Sequence, residues 1–408
     1  MPKRAWIVLL SGAAIIAISM GARQTFGLFL APIAGDLSVT REVFGLAIAI
    51  QNLMWGVAQP FAGAVADKFG AGRVIVVGGL AYVAGLLLTT VSTDPTGLYL
   101  SLGVLIGVGL SGTTFAVVLG AVGRVVADEK RSMALGLATA GGSLGMFVFV
   151  PAGQTVLSSY GWIAALAMLA ATAALMPMLA AGVAGRPERR QADQPSGISD
   201  ASLGAALVLA RQHNGYWLLN AGFLVCGFQL AFIATHLPAF LADQRTSPMT
   251  AALALALIGF FNVVGTYLWG TLGGRYRKKY LLSTLYLARS AVIALFLVLP
   301  ITDFSVLAFG AVIGLLWLGT VPLTSGLVVQ IFGPRYLGTL FGVVFLSHQI
   351  GSFLGAWLGG YVYDSTGSYD SVWLAGIALG IAAALLHWPI ADAPAVRVRP
   401  SPLRQPAP

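Results

Sequence analysis

Charged residues are scarce in this sequence. Only 9% of its 408 residues are Asp, Glu, Lys or Arg, and 58% are hydrophobic, whereas a soluble domain carries about 25% charged residues. The uncharged stretches cover residues 43–66, 74–93, 95–123, 212–242, 246–274, 304–334, 336–363 and 371–391, and 132–185 is long enough for two helices. Because a membrane-spanning helix needs about 20 mainly apolar residues, this composition excludes a soluble globular protein.

Acidic residues are missing from the predicted spans. All fourteen Asp and Glu fall in loops, at span edges or in the tail. Proton-coupled exporters of cationic drugs typically rely on an acid embedded in the membrane, which attracts the cation and carries the proton. Two arginines, Arg23 and Arg289, lie within predicted spans instead. Their presence favours an anionic substrate.

Catalytic and cofactor motifs are also missing. There is no P-loop, no His/Cys metal spacing, no G-x-S-x-G and no G-x-G-x-x-G after a strand, so we expect no enzyme activity, no metal and no cofactor. The single cysteine, Cys226, cannot form an intramolecular disulfide. Without a nucleotide-binding domain, transport would draw on gradients of ions or of the substrate.

The net charge of +9 is unevenly distributed. Of the 23 Lys and Arg, 19 fall on one side of the membrane if the N-terminus is inside, and only Arg41 and Arg245 fall on the other. This positive-inside distribution predicts an integral multi-pass protein of the plasma (inner) membrane with both termini in the cytoplasm. The expected partners are therefore membrane lipid and a small molecule, and not nucleic acid.

We predict an all-α membrane protein with twelve transmembrane helices in two pseudo-symmetric six-helix bundles. The expected spans are about 5–33, 43–66, 74–93, 97–123, 132–157, 162–184, 214–241, 250–272, 280–300, 304–330, 337–362 and 371–390. Residues 1–184 would form one bundle and 214–391 the other, with a polar cytoplasmic linker at 185–213 and a disordered cytoplasmic tail at 392–408. The basic N-terminus before an apolar run also fits a signal peptide, but eleven more spans follow it.

The two predicted halves repeat each other. Residues of helix 4 recur in helix 10 at an offset of 207; these pairs are Gly103 and Gly310, Gly107 and Gly314, Gly112 and Gly319, and Thr113 and Thr320. Several matches at one offset indicate a duplicated six-helix half, as in transporters whose site lies between parallel repeats.

Polar residues are concentrated in particular spans. Helices 3, 6 and 12 hold almost none, whereas helices 1, 2, 4, 5, 7, 8, 10 and 11 carry amides, hydroxyls and histidines. Polar side chains in hydrocarbon are costly unless they face protein or water. We therefore expect every third helix, including helix 9, at the periphery and the others around a central cavity.

The loop after helix 2 carries a known pattern. It reads Gly63-Ala-Val-Ala-Asp67-Lys68-Phe-Gly70-Ala-Gly-Arg73 and resembles the motif G-x-x-x-D-(R/K)-x-G-x-(R/K)-(R/K) of the major facilitator superfamily. A degenerate copy after helix 8 has Gly274 in place of the acid. In that family the acid faces the N-terminal end of helix 11, so the resemblance implies a one-sided cytoplasmic gate. Its expected residues are Gly63, Asp67, Lys68, Gly70, Arg73, Arg275 and Arg277.

Three segments are similar to the bacterial monocarboxylate-transporter-like and oxalate/formate-like branch. They are GARQTFGLFLAPI in helix 1, CGFQLAFIATHLPAFL in helix 7 and SHQIGSFLGAWLGGYVYDSTGSYD around helix 11. The resemblance implies a secondary transporter that works by alternating access on a small organic anion such as a monocarboxylate, by proton symport or exchange. The arginine that such transporters commonly place in helix 8 is absent, and Asn262 and Thr266 lie there instead.

Arg23 is the main candidate for binding the anion. It lies on the order of 27 Å along helix 1, at about 1.5 Å per residue, where an embedded arginine costs about 2.5–3.5 kcal/mol. Ser19 and Gly27, one turn to either side, are small, as expected of a cavity face. Snorkelling to the outer head groups is the alternative. The predicted substrate-binding set is Arg23, Gln24, Asn52, His236, Asn262, Trp317, Thr320 and His348.

Histidine and the second buried arginine have two interpretations each. Histidine as a residue type titrates near neutral pH, so His236 and His348 are candidates for proton coupling, although a hydrogen-bonded structural histidine is the commoner case. Arg289, in the predicted peripheral helix 9, is expected to pack against a neighbouring backbone or to snorkel.

Two other functions stay open. A neutral or cationic substrate, as in drug-type efflux, would use an aromatic and amide lining made of Trp55, Asn262, Trp269 and Trp317. A membrane sensor or partner subunit that no longer transports would have no need of the Asp67 loop.

Overall fold

The computed structural model describes residues 1–184, 203–333 and 337–395. All regular secondary structure in this part of the chain is helical. Ten segments within it are long and apolar enough to cross a membrane. One of them, Met133–Val183, contains two spans, and Arg41–Phe69 adds a further helix of 29 residues with its charges at the ends. The described residues therefore contain the twelve predicted spans.

The N-terminal half contains spans α1 to α6. They are α1, Lys3–Gln24 continued by Phe26–Asp36; α2, Arg41–Phe69; α3, Ala71–Val91; α4, in the segments Pro95–Leu98, Tyr99–Leu105, Ile106–Thr113 and Phe115–Val125; and α5 with α6, in the segments Asp128–Ala173 and Leu175–Val183. Gly161 separates α5 from α6 with a φ of 83°, a left-handed conformation that glycine adopts without a Cβ clash.

The C-terminal half contains spans α7 to α12. They are α7, Asn214–Asp243; α8, Pro248–Arg275; α9, Lys278–Val298; α10, in the segments Asp303–Leu315 and Thr320–Phe332; α11, Leu337–Thr366; and α12, Asp370–His387. Each half packs around its own hydrophobic core, since the buried side chains form two separate clusters that divide largely between the halves.

The two halves meet through six helices. The extensive contacts between them join α1 to α7, α2 to α11, and α5 to α8. In contrast, α3 and α6 pack on each other within the N-terminal half, and α9 and α12 do so within the C-terminal half. The prediction that every third helix is peripheral, including α9, is therefore confirmed.

The repeat is visible in side-chain contacts. The Ser19 hydroxyl lies 2.8 Å from the Thr113 hydroxyl, and the Cys226 thiol lies 3.3 Å from the Thr320 hydroxyl. Both residues of the second pair follow those of the first by 207 positions. The same hydrogen bond thus joins α1 to α4 and α7 to α10, which confirms the pseudo-symmetric arrangement.

The predicted linker and tail are described only in part. Residues 185–202 and 396–408 lie outside the described residues, and Leu203–Gln212 forms a short helix before α7. Residues 392–395 begin the predicted disordered tail but pack against the C-terminal half instead. Asp392 accepts hydrogen bonds of 3.1 and 2.6 Å from Arg277, and the Ala395 N–H donates to the Ile331 carbonyl at 2.8 Å.

The Arg277 guanidinium holds the pKa of the Asp392 carboxyl below its usual value. A carboxyl with a lowered pKa in the folded state contributes its stability above the unfolded-state pKa and loses it as the pH falls through the folded-state pKa. This tether of the C-terminal segment therefore persists at neutral pH.

Two glycines at equivalent places allow close helix approaches. A Cβ at Gly145 in α5 would overlap the Ala17 carbonyl of α1, and a Cβ at Gly351 in α11 would overlap the Leu224 carbonyl of α7. We expect Gly145→Ala and Gly351→Ala each to lower the free energy of unfolding by about 1–3 kcal/mol, the usual cost of overpacking. Thermal unfolding of the detergent-solubilised protein measures this.

Gly342→Ala is the matched control in α11, because a Cβ there meets no atom within 4 Å. It should leave the melting temperature nearly unchanged. Equal melting temperatures for Gly342→Ala and Gly351→Ala would show that the α7–α11 contact does not require glycine.

Candidate functional site

The halves are joined by an ion pair at one end of the bundle. We call the end that carries the α1–α2, α7–α8 and α11–α12 connections the Arg41 end, and the opposite end the Asp67 end. The two Nη atoms of Arg41 donate to the two carboxylate oxygens of Asp243 at 2.7 and 2.8 Å. The guanidinium also lies over the Tyr363 ring, 3.6 Å from its centroid. Bidentate, stacked arginine–carboxylate pairs are the stronger form of such contacts.

Asp364 of α11 caps α2 at the same interface. Its carboxylate accepts hydrogen bonds from the backbone N–H groups of Arg41 and Glu42 at 3.2 and 2.6 Å, and an anion at a helix N-terminus is stabilising. The Trp357 indole donates to the Glu42 carboxylate at 3.0 Å. These contacts cross between the halves, so the Arg41 end is closed.

We call these contacts between the halves at the Arg41 end the seal. His236 lies next to the seal, on its inner side. It is fully buried, with Nε2 at 2.7 Å from the Ala356 carbonyl and Nδ1 at 3.3 Å from the Tyr369 hydroxyl. Tyr369 in turn accepts a hydrogen bond from Arg41 at 3.1 Å. Both ring nitrogens are engaged, and the structure places His236 with the seal and apart from the other predicted binding residues.

The residues of the predicted gate lie at the Asp67 end. The Asp67 side chain is 74% exposed and pairs with Arg124 of the same half at 2.8 Å. Gly70 ends α2 with a φ of 96°, which favours glycine at this position of the motif. Nothing lies within 4 Å of a Cβ built at Gly63.

The other gate residues are also within single halves or exposed. Lys68 lies 5.1 Å from the ring centroid of its neighbour Phe69, and Arg277 pairs with Asp392 of its own half. Arg73 and Arg275 are exposed. In the described residues, the hydrogen bonds between the halves lie at the Arg41 end or near the middle of the bundle, so the space between the halves opens at the Asp67 end.

Arg23 lies near the middle of the bundle among uncharged partners. It donates to the Gln24 side-chain oxygen at 2.8 Å and to the Asn52 side-chain oxygen at 2.5 Å. Its guanidinium carbon lies 5.2 Å from the centroid of the Trp55 ring. The Nε atom is buried without a hydrogen-bond partner. In the described part of the chain, no carboxylate forms an ion pair with this guanidinium.

Two amide contacts near Arg23 join the halves at equivalent places. The Gln349 amide of α11 donates to the Asn52 backbone carbonyl of α2 at 3.1 Å. The Asn262 amide of α8 donates to the Ser143 hydroxyl of α5 at 2.8 Å. The floor of the space between the halves is therefore a polar layer rather than a charged one.

Helix α10 is interrupted between Leu315 and Thr320, next to this layer. The peptide groups that the interruption frees find side-chain partners. The Leu315 carbonyl accepts from the Trp269 indole at 3.0 Å, and the Leu318 N–H donates to the Asn262 side-chain oxygen at 3.0 Å. Broken helices are tolerated within membranes where such groups are satisfied by protein.

Arg289 of α9 satisfies the other two carbonyls of the interruption. Its Nη2 donates to the Leu316 and Trp317 carbonyls at 2.7 and 3.0 Å, and its Nη1 donates to the Gln229 side-chain oxygen at 3.0 Å. The side chain is fully buried. Of the two expectations for Arg289, the structure thus shows packing against a neighbouring backbone.

The equivalent position in the N-terminal half is Tyr82, 207 residues earlier. Its hydroxyl donates to the Ser19 carbonyl at 3.0 Å. Helix α4 is interrupted only at Thr114, whose hydroxyl accepts from the Trp55 indole at 3.0 Å. A one-residue interruption in one half thus corresponds to a four-residue interruption in the other, where a guanidinium replaces the phenol.

The predicted binding residues fall into four places. Arg23, Gln24 and Asn52 form one cluster, and Gln24 also donates to the Met146 sulfur at 3.2 Å. Asn262 and Trp317 belong to the α10 interruption, and the buried Thr320 follows it. His348 is on α11, and His236 is in the seal.

Sequence reasoning missed several residues of the site. Trp55 was considered only for a neutral substrate, yet its ring faces the Arg23 guanidinium. Ser143 and Gln349, which contact the opposite half, are not in the predicted substrate-binding set. Their offset of 206, the one that also relates Gly145 to Gly351, was a signal that could have found them.

Comparison with known proteins gives a family match over most of the chain. The family model of the Major Facilitator Superfamily matches residues 12–355 and also 219–407. Monocarboxylate transporter 13 of Rattus norvegicus is 28% identical over 380 residues, which cover 90% of this chain and 84% of that protein. The uncharacterized MFS-type transporter YcxA of Bacillus subtilis is 26% identical over 389 residues, 90% of either chain.

Solved structures share the fold. A bacterial homolog of the human lysosomal transporter Spinster, in an inward-facing and unoccupied conformation, has a TM-score of 0.72 at 14% identity over 95% of both chains. The same transporter in an inward-facing, occupied conformation has a TM-score of 0.75 at 17% identity, over 98% of this chain and 100% of that one.

The Arg41–Asp243 pair generates a prediction about opening. Asp243→Asn should raise the population open at the Arg41 end about fivefold, because a partly exposed pair contributes about 1 kcal/mol. Distances between spin labels at residues 38 and 246, in a Cys226→Ser background, measure this population.

Asp303→Asn is the control for this experiment. Asp303 lies at the same end but accepts a hydrogen bond from Thr250 of its own half, so its substitution should leave the distances unchanged. The role given to the ion pair is wrong if both variants behave alike.

Arg289 generates a second prediction. Arg289→Leu leaves the Leu316 and Trp317 carbonyls without donors, and each unsatisfied buried group costs about 1–3 kcal/mol. We expect faster amide hydrogen exchange in α10 on both sides of the interruption. Tyr82→Phe, which removes one hydrogen bond at the equivalent place, should leave α10 exchange unchanged. Parental exchange rates in Arg289→Leu would show that the hydrogen bonds from Arg289 do not stabilise the interruption of α10.

Proposed function

Because the chain belongs to the Major Facilitator Superfamily and is a multi-pass membrane transporter rather than an enzyme, we propose that it carries a small organic anion. A monocarboxylate is the best-supported class. Relatives that are named monocarboxylate transporters support this choice. The alignment with one of them, monocarboxylate transporter 13, covers 90% of this chain. Arg23 carries the proposal.

The argument from Arg23 is electrostatic. A guanidinium near the middle of the membrane is costly, and here its partners are two neutral amides and an indole ring. The buried Nε–H of Arg23 lacks a partner, as does that of Arg289, and it can donate to a bound ligand. A guanidinium presents parallel donors that match the two oxygens of a carboxylate. A carboxylate bound here would neutralise the charge that the protein leaves uncompensated.

The surroundings suit a small ligand. Trp55 is buried beside Arg23, and the polar layer made by Asn52, Gln349, Ser143 and Asn262 limits the depth of the space. Aromatic walls with a few placed polar groups are typical of small-molecule sites. The seal at the Arg41 end separates this site from one side of the membrane. A conformation closed on one side only is one state of an alternating-access cycle.

The direction of this state follows from the charge distribution. With 19 of the 23 Lys and Arg on the side of the termini, we assign the Asp67 end to the cytoplasm of the plasma (inner) membrane. The structure would then be the inward-open state. In the opposite state, the exposed Asp67 would meet the N-terminal end of α11, where a carboxylate is stabilising.

The test compares two substitutions of Arg23 in proteoliposomes. Arg23→Gln should reduce uptake of radiolabelled pyruvate, lactate or oxalate about 10- to 100-fold, since a hydrogen bond to a charged group contributes about 1.5–3 kcal/mol. Arg23→Lys keeps the charge but loses the parallel donors, so it should reduce uptake less.

Arg211→Gln is the control, because it removes a positive charge at an exposed residue before α7. It should transport as the parent does. Parental uptake by Arg23→Gln would exclude Arg23 as the anion site, and transport of uncharged solutes alone by the parent would favour the neutral-substrate alternative.

A further inference from the structure

An anion transporter that uses a proton gradient needs a group that carries the proton. The spans described here contain no buried carboxylate that faces the space between the halves, so the proton must use another group. Arginine stays protonated, and tyrosine has an ordinary pKa near 10, well above neutral pH. Histidine is the side chain that titrates near neutral pH.

Three histidines lie within the spans, and two of them are enclosed. His236 has both ring nitrogens engaged behind the seal. His387 of peripheral α12 is buried, stacked on Tyr286 and bonded to the Ala383 carbonyl of its own helix. Neither faces the space between the halves. His348 of α11 is partly exposed.

The hydrogen bonds of Gln349 define which nitrogen of His348 is basic. The Asn52 backbone carbonyl can only accept, so the Gln349 amide nitrogen points to it, at 3.1 Å. The Gln349 oxygen then lies 3.1 Å from His348 Nδ1. An amide oxygen can only accept, so Nδ1 carries the hydrogen in the neutral ring. Nε2 is therefore the atom left to take up a proton.

Two chains of contacts connect His348 with Arg23. One runs through Gln349 to the backbone of Asn52, whose side chain accepts from Arg23. The other is aromatic: the His348 ring stacks on Phe345 at 6.0 Å between centroids, and Phe345 meets Trp55 at 5.5 Å. Trp55 lies against Arg23. The two side chains thus border one space from opposite halves.

The charges that face His348 are positive. On α7, Gly227 packs against the His348 carbonyl, and the thiol of its neighbour Cys226 lies 3.6 Å from an Nη of Arg289 in α9. From α1, Arg23 acts across the space. The α2 residues packed nearby, Asn52 and Trp55, are uncharged. A carboxylate bound at Arg23 would add a negative charge to this space.

We propose that His348 Nε2 carries the proton that is transported together with the anion. This inference rests on the proposed function and makes its mechanism symport. The anion binds at Arg23, Nε2 takes a proton from water in the open space, and both are released on the other side. One negative and one positive charge cross together, so no net charge moves. By linkage, the anion raises the proton affinity of His348 and the proton raises anion affinity equally.

The test measures uptake and binding for the parent and His348→Gln, with pyruvate and lactate as probes. An inward acid gradient should drive concentrative uptake by the parent. In His348→Gln this uptake should fall at least tenfold, and the remaining exchange of internal for external anion should no longer depend on pH. His213→Gln, which removes a histidine at the start of α7, should behave as the parent.

Binding at equilibrium gives an independent measurement. The parental Kd should rise with pH, by up to about tenfold per pH unit, because proton and anion bind together, and the Kd of His348→Gln should not change with pH. Gradient-driven accumulation and a parental pH profile in His348→Gln would overturn the proposal. If the parent neither binds nor transports either anion, the proposed function itself fails, and this inference falls with it.

Discussion

The structure depends on the requirement that polar groups inside a membrane find partners within the protein. Water is absent from the hydrocarbon, so an unpaired peptide group there costs several kcal/mol. The interruption of α10 is possible because Trp269, Asn262 and Arg289 satisfy the freed groups. Arg23 and Arg289 each keep a buried Nε without a partner, so this atom does not separate the two buried arginines. They differ in their other partners, because Arg289 donates to main-chain carbonyls of α10 and Arg23 donates to the side chains of Gln24 and Asn52.

Most of the fold was predictable from the sequence for the same reason. The uncharged stretches predicted where the spans lie in the sequence. The polarity of each span predicted whether it is peripheral or central, because a lipid-facing helix has no partner for an amide. The constant offset of 207 residues predicted the pseudo-symmetry that Ser19–Thr113 and Cys226–Thr320 display. Gly161 divides α5 from α6 within one continuous apolar stretch, and the sequence placed that division correctly.

The site was less predictable, since it is made of contacts between distant segments. Arg23, Gln24 and Asn52 were expected to bind substrate, and they do lie together. His236 and His348 looked alike as single polar residues in apolar helices. Only the fold distinguishes them. Ala356 and Tyr369 enclose His236, whereas His348 lies at the edge of the space between the halves. The Arg41–Asp243 pair joins residues 202 positions apart, and no local pattern marks it.

The location of an ion pair relative to the moving parts decides which property of the protein it affects. Arg277 and Asp392 lie in the same half, so their attraction is present throughout the cycle and contributes only to the stability of that half. Arg41 and Asp243 lie in different halves, so in the proposed alternating-access cycle they separate each time the Arg41 end opens. Their attraction is part of an activation barrier, and salt, which screens exposed charges over about 8 Å at physiological strength, acts on it directly. In the proposed cycle, ionic strength would therefore change the rate at which the Arg41 end opens.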